Sequence, residues 1–153
     1  MLLAKLAILG LLISSHSSAR PAVDCECYGY TSNEWSISKQ VKTERKRSKA
    51  LFSGEVLGII EKRLETGHTI EVTFKVIDSW KYVRTSTVTV ITHYSAPGGC
   101  GYPFRIGQSY LVYVEREEGG VLWTTICSRT MLLSMASTDL KVLGRGKIKT
   151  GDQ

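Results

Sequence analysis

Four cysteines restrict how this chain can fold, because Cys25 and Cys27 lie together near the amino terminus while Cys100 and Cys127 lie far along the sequence. An even number of cysteines in an exported chain indicates disulfides, with several pairings possible. Cys25 and Cys27 are too close to favour a bond with each other. The sequence therefore predicts two long-range disulfides that reach Cys100 and Cys127, each worth roughly 4 kcal/mol in the chain-entropy account.

A rival interpretation of the cysteines is a metal site completed by His68 or His93. Structural zinc sites usually draw on tighter pairs of the C-x₂-C kind, and the spacing here is C-x-C. We therefore favour disulfides and expect no metal or cofactor of the protein's own.

The amino terminus has the pattern of a secretory signal peptide. Lys5 precedes a short apolar run over residues 6–13, and Ser17 and Ala19 occupy the −3 and −1 positions of a cleavage site. We expect residues 1–19 to be removed; the alternative is an uncleaved anchor. No later segment approaches the roughly 20 apolar residues of a membrane helix. The sequence thus predicts a secreted protein without an integral membrane segment, extracellular or, in a bacterium, periplasmic.

Basic residues crowd one stretch of the chain. The formal net charge is +6, and residues 36–50 contain no Gly or Pro but sparse apolar positions, which predicts a solvent-washed helix. Two interpretations stay open for its charge: a solvated helix face, or a patch that binds an acidic polymer. The residues of the possible patch are Lys39, Lys42, Arg45, Lys46, Arg47 and Lys49.

The rest of the chain alternates apolar and polar residues as β-strands do. Gly54 and Gly58 predict bends or bulges in the first strand. Tyr110, Val112 and Val114 should face one side of the fourth strand, with Leu111 and Tyr113 on the other. The predicted strands cover 51–61, 69–80, 85–92, 108–117 and 121–127, and Glu118-Gly119-Gly120 predicts a hairpin turn.

A short helix is expected over Thr138–Leu143, capped by Ser137 and ended by Gly144. The tail, 145–153, is polar and should be loose. Periodicity alone supports a small β barrel or sandwich. Five closely spaced strands with glycine bends favour a mostly β fold: an OB-like five-stranded barrel with one or two flanking helices and two disulfides.

Spaced motifs add a family resemblance over residues 25–144, which form the predicted domain. Together they resemble the netrin-like module of tissue inhibitors of metalloproteinases, in its small single-domain form. The motifs are Cys25-Glu26-Cys27, Phe52-Ser-Gly-Glu-Val, Val76-Ile-Asp-Ser-Trp80-Lys81, Cys100-Gly-Tyr-Pro-Phe-Arg-Ile-Gly107, Tyr110-Leu-Val-Tyr113, Thr124-Thr-Ile-Cys127-Ser-Arg-Thr130 and Asp139-Leu-Lys-Val-Leu-Gly144.

The resemblance implies an OB barrel with the pairings Cys25–Cys100 and Cys27–Cys127. It also implies a function: the α-amino group and carbonyl oxygen of the first cysteine chelate the zinc of a metalloproteinase, and the next residue, Glu26, enters the substrate pocket. The implied inhibitory ridge is Cys25, Glu26, Cys27, Gly99 and Cys100. The implied partner is a zinc metalloproteinase or another extracellular protein.

One observation favours an alternative to metalloproteinase inhibition. Cleavage after Ala19 leaves a short pre-segment, residues 20–24, before Cys25, so the nitrogen of Cys25 would be a peptide nitrogen and a poor metal ligand. The alternative is a non-inhibitory netrin-like adapter that binds a protein or an acidic polysaccharide through the basic helix.

Two further classes are disfavoured. An OB-type nucleic-acid binder would use stacking aromatics such as Tyr110, Tyr113 and Trp123, but export argues against it, and we expect no nucleic-acid partner. An enzyme is also not expected, because His68 and His93 lack a paired nucleophile or metal pattern. Arg129 is interpreted as a structural anchor for a carboxylate or for the turn after Cys127, and Asp139 as a residue of the cap region.

Overall fold

The structure, a computed structural model, describes Cys25, Cys27 and residues 35–64, 67–95 and 99–147. Several sequence-based expectations lie outside the described residues: the signal peptide, the pre-segment, Glu26 and most of the polar tail.

In the described residues, seven strands form a single sheet in the order β5-β6-β3-β2-β1-β4-β7, which is curled into a half-barrel and accompanied by two α-helices. The expected mostly β class is confirmed. The elements are α1 (Ile37–Arg47), β1 (Ala50–Leu64), β2 (Gly67–Lys81), β3 (Thr87–His93), β4 (Ser109–Val114), β5 (Arg116–Glu118), β6 (Val121–Trp123), β7 (Met131–Leu132), a 3₁₀ turn (Leu133–Met135) and α2 (Ser137–Leu143).

The strand count in the described residues is seven rather than five, because the predicted fourth strand is divided and a short strand, β7, is added. β4 pairs with β1, whereas β5 pairs with β6. Between them the backbone N–H of Glu115 donates to the carbonyl of Trp123 at 3.0 Å. At that residue the chain stops pairing with β1 and begins to pair with β6. The predicted strand 121–127 ends at Trp123, where β6 pairs in parallel with β3, and the two-residue β7 was not predicted.

β1 curls the sheet through the two glycines that the sequence singled out. The register with β2 shifts between Ser53 and Gly54 and again between Val56 and Gly58. At Gly54 a Cβ atom would lie 2.9 Å from the carbonyl oxygen of Lys75, so the strands approach too closely there for a side chain. The predicted bulges are confirmed, and bulges increase local bend and twist.

Both faces of β4 are buried, each in its own hydrophobic core, as its alternating pattern predicts. Tyr110, Val112 and Val114 belong to the core enclosed by the curled sheet. Leu111 and Tyr113 belong to a second core with residues of α1 and α2. A helix layer therefore covers the outer face of this strand.

The helix α1 is shorter than predicted, ending at Arg47 because Ala50 already starts β1 and is fully buried. The ammonium group of Lys81, at the end of β2, donates hydrogen bonds to the carbonyls of Arg45, Lys46 and Ser48. A cation at a helix carboxyl terminus satisfies orphan carbonyls and opposes the helix dipole.

The second helix differs from its prediction at the start. Ser137 is the first helical residue, and Ala136 occupies the capping position without a side-chain bond. Gly144 ends the helix with φ 69°, as predicted. The first tail residues are held, because the Lys147 N–H donates to the Ser79 carbonyl at 2.7 Å.

A buried ion pair joins α2 to the turn after Cys127. Arg129 donates from Nε to Asp139 Oδ2 at 2.6 Å and from Nη2 to Oδ1 at 2.8 Å, and the Tyr113 hydroxyl donates to Oδ2 at 2.8 Å. Arg129 therefore anchors a carboxylate as expected. Asp139 lies in the first turn of α2, within the expected cap region, and is only 2% exposed, so it is a buried acceptor. Burial, then this hydrogen bond, raises the pKa of Tyr113 above its ordinary value.

We predict that Asp139→Asn lowers the free energy of unfolding by about 2–4 kcal/mol, because Arg129 then loses its buried counter-charge. Urea unfolding of the oxidised protein measures this. Lys62→Gln is the control, since it breaks the exposed Lys62–Glu71 pair and should cost less than about 1 kcal/mol. Equal costs for the two variants would contradict the structural role of the pair.

Candidate functional site

The amino-terminal Cys-x-Cys segment is fixed against two separate loops by adjacent disulfides. Cys25 is bonded to Cys100 and Cys27 to Cys127, closing separations of 75 and 100 residues. The two bonds lie side by side, with Cys25 Sγ 3.7 Å from Cys127 Sγ. The expectation of two disulfides is confirmed, and the pairing is the one that the resemblance implies.

The loop that carries Cys100 crosses the end of β3 in close contact. A Cβ atom on Gly101 would lie 1.8 Å from the carbonyl oxygen of His93, so only glycine fits there. The N–H of Tyr102 donates to the buried hydroxyl of Thr92 at 2.8 Å, and the Cys100 carbonyl accepts from the N–H of Ile126 at 2.9 Å. These contacts join the Cys100 loop directly to the turn before Cys127.

Hydroxyl groups fix the turn around Cys127. Thr124 Oγ1 donates to the carbonyl of Tyr113 at 2.9 Å, Thr125 Oγ1 donates to Glu115 Oε2 at 2.6 Å, and the Cys127 N–H donates to Thr125 Oγ1 at 3.0 Å. These hydroxyl groups come from the run Thr124-Thr-Ile-Cys127-Ser-Arg-Thr130. Its hydrogen bonding around Cys127 was not predicted from the sequence.

The predicted ridge is therefore brought together in part. Cys25, Cys27, Gly99 and Cys100 have solvent-accessible surface, and Glu26 lies outside the described residues. Ile126, 42% exposed, joins this edge through its bond to Cys100 and was not predicted. We call Cys25, Cys27, Gly99, Cys100, Ile126 and Cys127 the disulfide ridge.

The cysteines cannot serve as thiolate ligands of a metal, because all four form disulfides. Sulfurs of Cys25, Cys27 and Cys127 lie within 4.8 Å of one another, but this follows from adjacent disulfides, and oxidised sulfur is not a thiolate ligand. The two histidines contact aromatic rings instead: His68 lies 5.7 Å from Tyr94 and His93 lies 5.4 Å from Trp123, centroid to centroid.

The basic residues of α1 divide into two sets. Lys39, Lys42, Lys46 and Arg47 line one open groove of about 580 Å³, together with Ser36, Ser38 and Thr43. We call this the basic groove. Arg45 does not line it, and Lys49 lies beyond the helix in a separate cleft with Tyr82 and Glu117.

In α1 the acidic side chain is buried, whereas the basic side chains are exposed to solvent. Glu44, the acid of the basic run, is 7% exposed, whereas the lysines of the groove are exposed. The ammonium group of Lys39 lies 4.1 Å from the ring centroid of Trp35. The groove therefore presents cations without an acidic neighbour from its own helix.

Two of the aromatics considered for base stacking are inaccessible. Tyr110 is 2% exposed and Tyr113 fully buried, so both are core residues and neither can stack on a base. Trp123 is half-buried, with the Arg116 guanidinium 4.9 Å from its ring centroid.

No protein-family model matches this chain, and no curated protein matches it. Among the residues that the structure describes, no helix has the length and apolar character needed to cross a bilayer. The structure leaves none of the four cysteines as a free thiol, which is compatible with an extracellular location.

Removing one disulfide with Cys27→Ala and Cys127→Ala should lower the free energy of unfolding by roughly 4 kcal/mol, because the bond closes a loop of 100 residues. Removing both disulfides should leave little of the stability typical of a small domain. Urea midpoints of the wild type, each paired variant and the quadruple variant test this. Unchanged stability in both paired variants would contradict it.

Proposed function

We propose that this chain is a secreted netrin-like protein with an OB barrel that inhibits a zinc metalloendopeptidase through the disulfide ridge. The barrel topology is supported by the parallel pairing of β3 with β6, and by β5 continuing β4 across a single residue. Counted as one interrupted strand, β4 and β5 make a five-strand circuit with β1, β2, β3 and β6.

The observation that carries the inhibitory proposal is the side-by-side placement of the two disulfides. Cys25 is fixed to the Cys100 loop, which is in turn bonded to the Cys127 turn. A ligand held in its bound conformation loses less entropy on association than a flexible one. The ridge is therefore suited to present the first cysteine rigidly to a partner.

The chemistry at Cys25 requires a free α-amino group. Such a group has a pKa near 8, so its neutral form is easily reached beside Zn²⁺. Catalytic zinc keeps an open coordination position that the amine and the adjacent carbonyl oxygen would fill in place of water. In this proposal, processing of the chain ends at Asp24, so that Cys25 becomes the mature amino terminus.

Two forms of the protein test this proposal. We predict that a form beginning at Cys25 inhibits a zinc metalloendopeptidase, whereas a form beginning at Arg20 does not, because its Cys25 nitrogen is an amide. Hydrolysis of a fluorogenic peptide measures inhibition, and amino-terminal sequencing of the exported protein identifies the natural form. The matched control is the Cys25 form acetylated at its α-amine. Absence of inhibition at micromolar concentration by the Cys25 form would overturn the proposal.

We propose a second candidate function, binding of an acidic polysaccharide in the basic groove. The specific observation is the groove shared by Lys39, Lys42, Lys46 and Arg47, with the acid of the same helix turned inward. An open groove of one charge sign raises the local concentration of oppositely charged polymers.

Neutralising the groove should weaken binding of a sulfated polysaccharide. The variant Lys39→Gln, Lys42→Gln, Lys46→Gln should bind more than about tenfold more weakly, and wild-type binding should fade above ~0.3 M salt as exposed charges are screened. The control removes the same charge from the exposed residues Lys62, Arg63 and Lys75. Equal weakening in both variants, or binding insensitive to salt, would contradict a specific groove.

A further inference from the structure

A small cleft opens beside the disulfide ridge, between α1 and the turn that follows β6. Its volume is about 150 Å³, and its lining is Gln40, Glu44, Cys127, Ser128 and Arg129. Since a water molecule takes up about 30 Å³ of liquid, the cleft has room for the end of one side chain. Cys127 belongs both to this cleft and to the ridge.

Glu44 is the unusual group in this lining. The residue is only 7% exposed, yet among the described residues no group donates a hydrogen bond to its carboxylate and no cation lies within ion-pair distance of it. Every fully buried polar side-chain atom in the described part of the chain does have a partner. The Glu44 oxygens therefore keep contact with solvent, and the cleft is the cavity that this residue lines.

Arg129 lies near Glu44 and attracts its charge, but it donates no hydrogen bond to it among those that the structure shows. Arg129 donates its hydrogen bonds to other acceptors. Two of its nitrogens donate to Asp139, and the third donates to Gln40 Oε1 at 3.0 Å. The amide nitrogen of Gln40 donates to the carbonyl of Trp35 at 2.8 Å. The carboxylate of Glu44 therefore has no hydrogen-bond donor among the described residues that line the cleft.

A cation that reaches Glu44 in the cleft gains a charge-assisted hydrogen bond to its carboxylate. A compact ammonium group fits better than a guanidinium, because it is a point charge that needs neither a planar space nor a bidentate partner. The site thus has the size for the end of a lysine side chain and, in Glu44, a carboxylate to accept its hydrogen bonds.

We propose that the Glu44 cleft binds a primary ammonium group, the lysine side chain of a partner protein seated on the disulfide ridge. This inference deepens the proposed ridge function and rests on it for the partner's place. It assigns a specificity: partners with a lysine beside their contact with Cys127 are preferred over partners without one.

The test uses the oxidised full-length mature protein and n-butylammonium chloride as the probe. Two-dimensional ¹H–¹⁵N NMR follows the amides of residues 127–129 and the Nε–H of Arg129. We expect saturable shifts in the wild type and at least about tenfold weaker binding in Glu44→Gln, the loss expected for one charge-assisted hydrogen bond. Glu61→Gln, on the exposed end of β1, is the matched control and should bind as the wild type does.

A second probe keeps the test independent of how well the Glu44 variant folds. n-Butanol has a similar shape without charge and should produce no saturable shift at the same residues of the wild type. Equal shifts from n-butanol, unsaturable shifts from n-butylammonium, or undiminished binding in Glu44→Gln would each overturn the proposal. No protease enters these titrations, so their failure is distinguishable from failure of the inhibitory function.

Discussion

The ion pair between Arg129 and Asp139 lies where four parts of the chain meet. Arg129 follows the Cys27–Cys127 disulfide, Asp139 belongs to α2, Tyr113 of β4 donates to the same carboxylate, and Gln40 of α1 accepts from Arg129. Because Asp139 is almost fully buried, its charge requires the donors that Arg129 and Tyr113 supply. The packing of both helices on the sheet, and the position of the ridge beside them, depend on the same few hydrogen bonds.

This arrangement explains why a small domain supports a rigid edge. The curled sheet encloses one core and the helix layer covers another, with β4 contributing to both. The disulfides add cross-links at the loops that carry Cys100 and Cys127, and Phe104 of the first loop is buried in the sheet core. Backbone order at the ridge therefore comes from covalent bonds, hydroxyl hydrogen bonds and burial together.

The two proposed binding surfaces are carried by different sides of α1. Gln40 and Glu44 face the turn at Cys127, while Lys39, Lys42 and Lys46 line the basic groove. A single short helix thus separates the cleft that contains Glu44 from the basic groove. Under the proposed function, a protein partner on the ridge and an acidic polymer in the groove would not compete for the same residues.

Much of the fold was predictable from local patterns. The alternation along β4, the bulges at Gly54 and Gly58, the hairpin at Gly119-Gly120 and the stop at Gly144 were each set by residues close in sequence. These features follow from side-chain period and backbone freedom, which neighbouring residues determine by themselves.

The remaining features depended on groups far apart in the chain. The change of pairing strand at Glu115, the burial of Asp139 and the placement of Glu44 beside Arg129 depend on contacts with residues that no local pattern identifies. The sequence by itself determined a mostly β chain that requires two disulfides, because alternation and cysteine spacing are local properties. The tertiary structure alone decided which charges are buried, paired or exposed, because the partner of a charge is set by packing and not by sequence separation.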